Sequence, residues 1–422
     1  MSIEARSVTA QPAPPRDHRH TRCTTAGRAP VNDWIYRVFQ LADRLTNSGD
    51  LRTSAWRQAF CGVPRHELVP RFFTANGDGT YRLVDCDDPT ELGGWLDAIY
   101  SDQTLVTTVT DVLTGVGAVQ ISTSSSTMPS LMMRMLEDLD VTDGDRVLEI
   151  GTATGYNAAL LCARLGEENV FSVDLQPDLV DAARDRLGRL GHHPTLLAQN
   201  GRDGLAEHGP YDRILSTCSV RQIPIAWIEQ TRPGGMILTD VQGSLSAGNI
   251  VKLYRGNREV VQGRFLTRDG GRYGNFMPLH RDLEVSAAPS PRADRAGASE
   301  RRTLVAPGVL YDWRLPVGFL AQLHLPPTIT LSRVGGCVGT RTRLTATDGS
   351  WCEVVDRPDR HGEYQVVEAG PQSLWYAVEH AYRLYEGFDE PSWDRFGITA
   401  TPERQHVWID HPEYELTPLP AG

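Results

Sequence analysis

The stretch "VLEIGTATGYNAALL", residues 147–161, constrains this chain more than any other. An apolar run enters a turn of small residues and leaves with helical spacing. The chain beyond it keeps alternating. "NVFSVDL", "TLLAQN", "DRILSTC" and "GGMILTDV" read as strands. "PDLVDAARDRLGRLG", with Pro177 suited to its first turn, reads as a helix, as does "IPIAWIEQTR", ended by Pro233 and Gly234. Such alternation predicts a parallel sheet covered by helices on both faces, an α/β fold of Rossmann-like type. Ligands of these sheets sit beyond the C-terminal strand ends, where the turn 151–156 lies.

The residues of that turn restrict what it can hold. A dinucleotide fingerprint wants GxGxxG, but Ala153 stands at the second glycine position and Tyr156 at the third. No Lys-Ser/Thr pair follows, so it is not a phosphate loop either. S-adenosylmethionine remains. It has no pyrophosphate and needs no all-glycine cradle; it carries a charged amino-acid end and a cationic sulfonium. Glu149 beside a turn of small residues, Gly151 to Gly155, suits it. Asp174 ends the next strand, where an acid can accept both ribose hydroxyl hydrogens. Asp203, in "NGRDGL", follows the third strand and is placed to face the adenine. Thr152, Tyr156, Leu175 and Gly204 complete the cofactor candidates. An alternative role for Asp174 is to cap the helix beginning near Pro177, and for Asp203 to lie in a surface turn.

The rest of the chain bounds the organisation. At 422 residues it exceeds one ordinary core. A leader over 1–30 and a Pro/Ala/Ser/Arg stretch, "SAAPSPRADRAGASERR" at 286–302, read as a disordered tail and a linker. Between them lie a helical, substrate-facing region at 31–140 and the methyltransferase core at 141–285; a smaller α+β accessory domain occupies 303–422. In the helical region the Met-rich "SLMMRMLEDL" reads as core filling. Net charge is −11, which repels phosphate backbones and argues against nucleic acid as a partner. No apolar run is long enough to span a bilayer, and no signal-like segment opens the chain, so a cytoplasmic site is expected. Seven cysteines without a CxxC pair, and twelve histidines without HExxH, point to neither a disulfide scaffold nor a zinc site.

From about Ala55 to Val241 the chain resembles the protein-L-isoaspartate O-methyltransferases. The resemblance is carried by "VPRHELVPRF", "YSDQTLVT", "STMPSLMMRML", the turn itself down to its Gly-Tyr pair, "GPYDRILSTCSVRQIP" and "RPGGMIL", in that order. It implies S-adenosylmethionine as cofactor and a substrate loop around Ser122–Thr127. There the family usually has Ser, and this chain has Thr127, preceded by Ser124, Ser125 and Ser126. On this basis Thr127, Ser126 and Ser125 are the catalytic candidates, and Ser124 and Thr217 are placed to meet substrate. The C-terminal part, with "GSWCEVV" and "QHVWIDHPE", is similar to an extension of methyltransferases from ribosomal-peptide pathways, which accompany ATP-grasp or lanthionine maturases. That likeness implies a modified precursor peptide as substrate, a maturase as possible partner, and methylation of an aspartate leading to aspartimide and isoaspartate.

The chemistry needs little from the protein. A carboxylate is ionised at neutral pH, with an ordinary Asp pKa of ~3.9, and needs no general base. A sulfonium is already a good leaving group. Catalysis then reduces to alignment and displacement of water, which favours neutral hydroxyl donors such as "STSSST" over His or Lys. The same run also reads as nothing more than a polar entry to the helix after Pro129. Two other functions stay in competition: general repair of isoaspartyl proteins, and an inert core serving as the peptide-binding partner of a maturase. For the latter, Trp351, Trp375, Tyr376 and Trp393 read either as a recognition surface or as a small core.

Overall fold

The computed structural model describes residues 33–114, 117–279, 297–336 and 339–420. The leader 1–30 and the first part of the 286–302 linker lie outside the described residues, as do Cys23 and Cys337.

The alternating pattern does build a parallel sheet. Thr195–Ala198, Val170–Asp174, Val147–Ile150, Tyr211–Val220 and Thr231–Gln242 lie side by side in that order, all parallel. Val147–Ile150 is buried at every position, which is why its sequence is a continuous apolar run interrupted only by Glu149. The turn after it enters the helix Tyr156–Leu165, and Val170–Asp174 feeds the helix Pro177–Arg189, with proline in its first turn. The helix of "IPIAWIEQTR" is shorter than its sequence suggests. It spans Ile225–Gln230, and the next strand begins at Thr231, ahead of Pro233 and Gly234.

The sheet does not stop at Gln242. Gly248–Arg255, Val261–Phe265, Phe396–Ala400, Gln405–Ile409 and Glu415–Pro418 continue it, each antiparallel to the one before. The last three come from the segment expected to form a separate accessory domain, so the boundary near 302 does not separate two sheets. The linker reading fails at its end as well: Ser299–Thr303 is a strand paired with Tyr364–Ala369. It forms the edge of a second, five-stranded antiparallel sheet that also contains Trp351–Val355, Gly339–Thr345 and Thr330–Gly336. The helix Leu374–Gly387 buries Trp375, Val378 and Ala381.

The region 31–140 is less helical than expected. Helices Asp33–Asn47, Ser54–Gly62, Leu92–Ile99 and Pro129–Asp138 are present, but Tyr81–Asp85, Arg71–Ala75, Leu105–Thr114 and Gly117–Ser126 form a four-stranded antiparallel sheet. "LVTTVTDVLT" is rich in β-branched residues, whose stiff side chains suit a pleated surface. Its partner carries the Ser/Thr run, which is therefore a strand and not a loop or helix entry.

Two cores sandwich the long sheet. One joins it to the N-terminal helices through Leu41, Phe60, Met133, Leu136, Leu160 and Met236. The other joins it to the C-terminal part through Ile214, Trp227, Phe265, Phe319, Trp375 and Phe396. Met132, Met133 and Met135 are core residues. Trp351, Trp375 and Trp393 are buried too; only Tyr376 is exposed, under the Arg301 guanidinium at 4.0 Å. Among the described residues, no helix is long and apolar enough to cross a membrane.

Candidate active site

The turn is held from three directions. Gly151 has φ +102°, and a Cβ there would lie 2.5 Å from Thr217 Oγ1 and 3.0 Å from Cys218 Sγ. Only glycine lets the backbone pass so close to the neighbouring strand. Thr217 Oγ1 donates to the carbonyl oxygens of Ile150 and Gly151, at 3.1 and 3.0 Å. From the second strand, Asp174 Oδ2 accepts the Ala153 N–H at 2.9 Å, and Oδ1 accepts the Gln176 N–H at 3.1 Å. Asp174 thus latches the turn and steadies the entry to the next helix, while lining the open cleft at the strand ends. Asp174 does not cap that helix, however: the N-cap is Gln176, and no side chain makes a cap bond there.

Beneath the turn, Glu149 is wholly buried. Its Oε1 accepts from Asn157 Nδ2 at 2.7 Å and its Oε2 from Ser172 Oγ at 2.5 Å; Ser172 is in turn 2.7 Å from Thr152 Oγ1. Burial pushes the Glu149 carboxyl up to about 7, although both hydrogen bonds pull the other way.

The cleft measures about 980 Å³, at the large end for a small-molecule site. Of the cofactor candidates, it is lined by Gly151, Asp174 and Leu175; of the substrate and catalytic candidates, by Ser124, Ser125, Thr127 and Thr217. Other candidates do not line it. Glu149 and Thr152 form the buried network below the turn. Gly155 has φ +83°, and a Cβ there would press on Ala183 and Leu187, so it serves helix packing. Tyr156 is buried against the Arg65 guanidinium, 5.5 Å away. Asp203 is exposed on a short 3-10 turn. Gly204 is buried with φ +60°, where a Cβ would strike the Gln230 side chain. Ser126 turns inward, its Oγ 3.2 Å from Arg65 Nη2.

That arginine is one of several residues the sequence did not single out. Fully buried Arg65 also donates to the carbonyl oxygens of Ile99 and Thr127, at 2.9 and 3.1 Å, and so fixes the end of the hydroxyl strand. Asp102 Oδ1 accepts the Ser130 N–H at 2.8 Å and settles the start of the helix Pro129–Asp138. A strap, Tyr273–Leu279, forms another wall of the cleft. It is tied down by Ser219 N–H to Met277 O at 2.8 Å, Leu279 N–H to Ser219 O at 2.9 Å, and Phe276 N–H to Asp240 Oδ2 at 2.7 Å. Burial raises the Asp240 carboxyl to about 6. "VPRHELVP" held the only sequence hint of Arg65; nothing local marks the strap.

For metals, Asp85, Cys86 and Asp87 place ligand atoms within 4.8 Å of one another. Arg71 Nε already lies 2.7 Å from Asp85, supplying the charge a cation would bring.

A parallel sheet with a small-residue turn at its first strand end, an acid at the second and an open cleft above both, with Ala153 and Tyr156 at two positions of the dinucleotide fingerprint, fits the S-adenosylmethionine-dependent methyltransferases. Residues 95–265 match the sequence profile of the protein-L-isoaspartate(D-aspartate) O-methyltransferases. The protein-L-isoaspartate O-methyltransferase of Fervidobacterium nodosum is 37% identical over 153 residues, covering 36% of this chain and 73% of its own. That of Methanococcus maripaludis is 38% identical over 214 residues, 50% of this chain and 82% of its own. The chain belongs to the protein-L-isoaspartate O-methyltransferase family and is a methyltransferase using S-adenosylmethionine. A solved protein-L-isoaspartate O-methyltransferase superposes on 88% of this chain and 99% of its own, at TM-score 0.49 and 20% identity.

Proposed function

We propose that this protein methylates an aspartate or isoaspartate carboxylate in a modified ribosomal peptide, in the cytoplasm, and that the ester then closes to an aspartimide. The observation that supports this reading is the meeting, in one cleft, of the cofactor turn, the hydroxyl strand and Trp313, an exposed residue of the C-terminal part. The cleft fits the cofactor: Gly151 and Ala153 leave the turn open, and Asp174 offers a carboxylate at its edge. When bound, the cofactor supplies a methyl group on a positively charged sulfur.

The chain's own residues do the rest. Asp174 holds the ribose hydroxyls. Ser124, Ser125 and Thr127 orient the acceptor carboxylate through hydroxyl donors, weak enough to leave a lone pair free. The carboxylate held by Ser124, Ser125 and Thr127 would accept the methyl group that bound S-adenosylmethionine supplies, and the departing group would be a neutral thioether. No base is required, and the protein's task is alignment of the carboxylate with the methyl group. The methyl ester carries a better leaving group than the carboxylate does, so the next backbone amide nitrogen can close the five-membered imide and expel methanol without further help.

Incubation with S-adenosylmethionine and a macrocyclic, aspartate-containing precursor is expected to give the mass of a methyl ester, and then loss of methanol. A second reading is general isoaspartyl repair, favoured by the match over residues 95–265, which carries the turn and the hydroxyl strand. Faster turnover of linear isoaspartyl peptides than of any constrained precursor would establish repair instead.

A further inference from the structure

Arg272 ends the two-residue strand Gly271–Arg272 and lines the same cleft as Ser124 and Thr127. Its Nε and Nη2 are shielded from solvent and have no hydrogen-bond partner among the described residues. Other arginines near the site are more fully engaged: Arg65 donates to Ile99 and Thr127, and Arg134 donates to Tyr273 O at 3.1 Å and pairs with Asp50 at 3.4 Å, with only its Nε unpartnered. The opposite charge felt by Arg272 is Asp240, but the two form no direct bond. Asp240 Oδ2 is committed to Phe276 and Gln242, and its Oδ1 is itself unpartnered. Burial pulls the Arg272 guanidinium below its ordinary pKa and Asp240 opposes this, without engaging its donors. Buried donors are almost always satisfied in folded proteins, and each left unmet is costly. Nε and Nη2 form one edge of the guanidinium fork, the edge that takes a carboxylate with two parallel bonds.

Trp313 stands beside it. A Cβ on Gly271 would lie 3.3 Å from the Trp313 ring, and this indole, 57% exposed, lines the cleft.

We propose that Arg272 and Trp313 form a subsite for an acidic flank of the peptide substrate, Arg272 gripping a second carboxylate and Trp313 covering the chain next to it. The gripped group is not the methyl acceptor, because a bidentate guanidinium would withdraw the lone pair the reaction needs. The inference rests on the peptide-methylating function proposed above and adds its sequence preference.

The test uses the full chain and two sets of synthetic isoaspartyl peptides, identical except that Glu residues flanking the acceptor are replaced by Gln. Binding is measured by calorimetry with S-adenosylhomocysteine saturating, and turnover separately. Glu peptides are expected to bind at least tenfold more tightly than their Gln twins and to show a correspondingly lower KM. Arg272→Gln should abolish the difference, Arg272→Lys should restore part of it, and Trp313→Ala should weaken both sets. Equal binding of Glu and Gln peptides by the wild-type protein overturns the subsite and requires no variant to fold. So does weaker S-adenosylhomocysteine binding by Arg272→Gln with peptide discrimination intact, which would assign Arg272 to the cofactor. Charge-selective binding that depends on Arg272, without methylation of these peptides or of a macrocyclic aspartate-containing precursor, would leave the subsite standing and refute the proposed reaction.

Discussion

At Gly151 a backbone of φ +102° passes so near Thr217 and Cys218 that one added carbon has nowhere to go. Gly151→Ala is expected to cost about 2–4 kcal/mol, from the strained φ plus displacement of Thr217, and to shift the thermal midpoint accordingly. An unshifted midpoint would mean the turn is more pliant than its packing implies. Asp174 carries a double load, so its loss should be felt in binding: Asp174→Asn is expected to weaken S-adenosylmethionine by about ten- to hundredfold, the worth of one or two hydrogen bonds to a charged group. Calorimetry showing full affinity would misplace the ribose. Glu149 sets a pH dependence. Its folded pKa of about 7 lies above the ordinary carboxyl value, so its contribution to stability is present below about pH 4.5 and lost as pH rises through about 7. At 1.36 kcal/mol per unit, the loss is on the order of 3 kcal/mol. Glu149→Gln should flatten that part of the curve relative to wild type; parallel curves from pH 4.5 to 8 would show that the side chain ionises freely.

Elements whose signal is local were legible in the sequence, and elements defined by a distant partner were not. The turn 151–156 and the strands around it announce themselves through apolar runs and punctuation. The hydroxyl strand does not. Ser and Thr alternate with Ser and Thr, so the period of two that reveals a strand is invisible, and Leu105–Thr114 supplies the pairing. The strap Tyr273–Leu279 has no periodicity, because side chains and backbone of Asp240, Gln242 and Ser219 hold it. Asp203 ends a third-strand loop as expected, yet its 3-10 turn leaves it exposed. Seams between elements give their own test. Gln405 Oε1 accepts the Ile223 N–H at 2.8 Å and Nε2 donates to Ile223 O at 2.7 Å, copying a strand pair between distant segments. Gln405→Ala leaves two buried backbone groups unmet and is expected to cost about 2–4 kcal/mol in denaturant unfolding. A cost under about 0.5 kcal/mol would mean solvent replaces them.

On the scale of the whole molecule, the composition shift near 286–302 suggested a core followed by an appendage, but one continuous sheet and a shared apolar interior join the two parts. Phe265, Phe319 and Trp393 meet with ring centroids 5.2 to 5.6 Å apart, each from a different segment. Removing residues 297–422 should therefore abolish cooperative melting, whereas a soluble fragment with a sharp thermal transition would restore the two-domain picture. The contribution of the C-terminal part to substrate choice is better probed by point changes at Trp313 than by deletion.

The pairing of Val261–Phe265 with Phe396–Ala400 also bears on how the protein is made. During synthesis the first of these strands emerges long before its partner, leaving an open row of backbone donors and acceptors next to apolar side chains, the arrangement that invites pairing with a stranger. A ribosome that stalls or terminates between the two releases an adhesive polypeptide, so the cell's folding assistants are expected to hold this nascent chain until its final strands arrive.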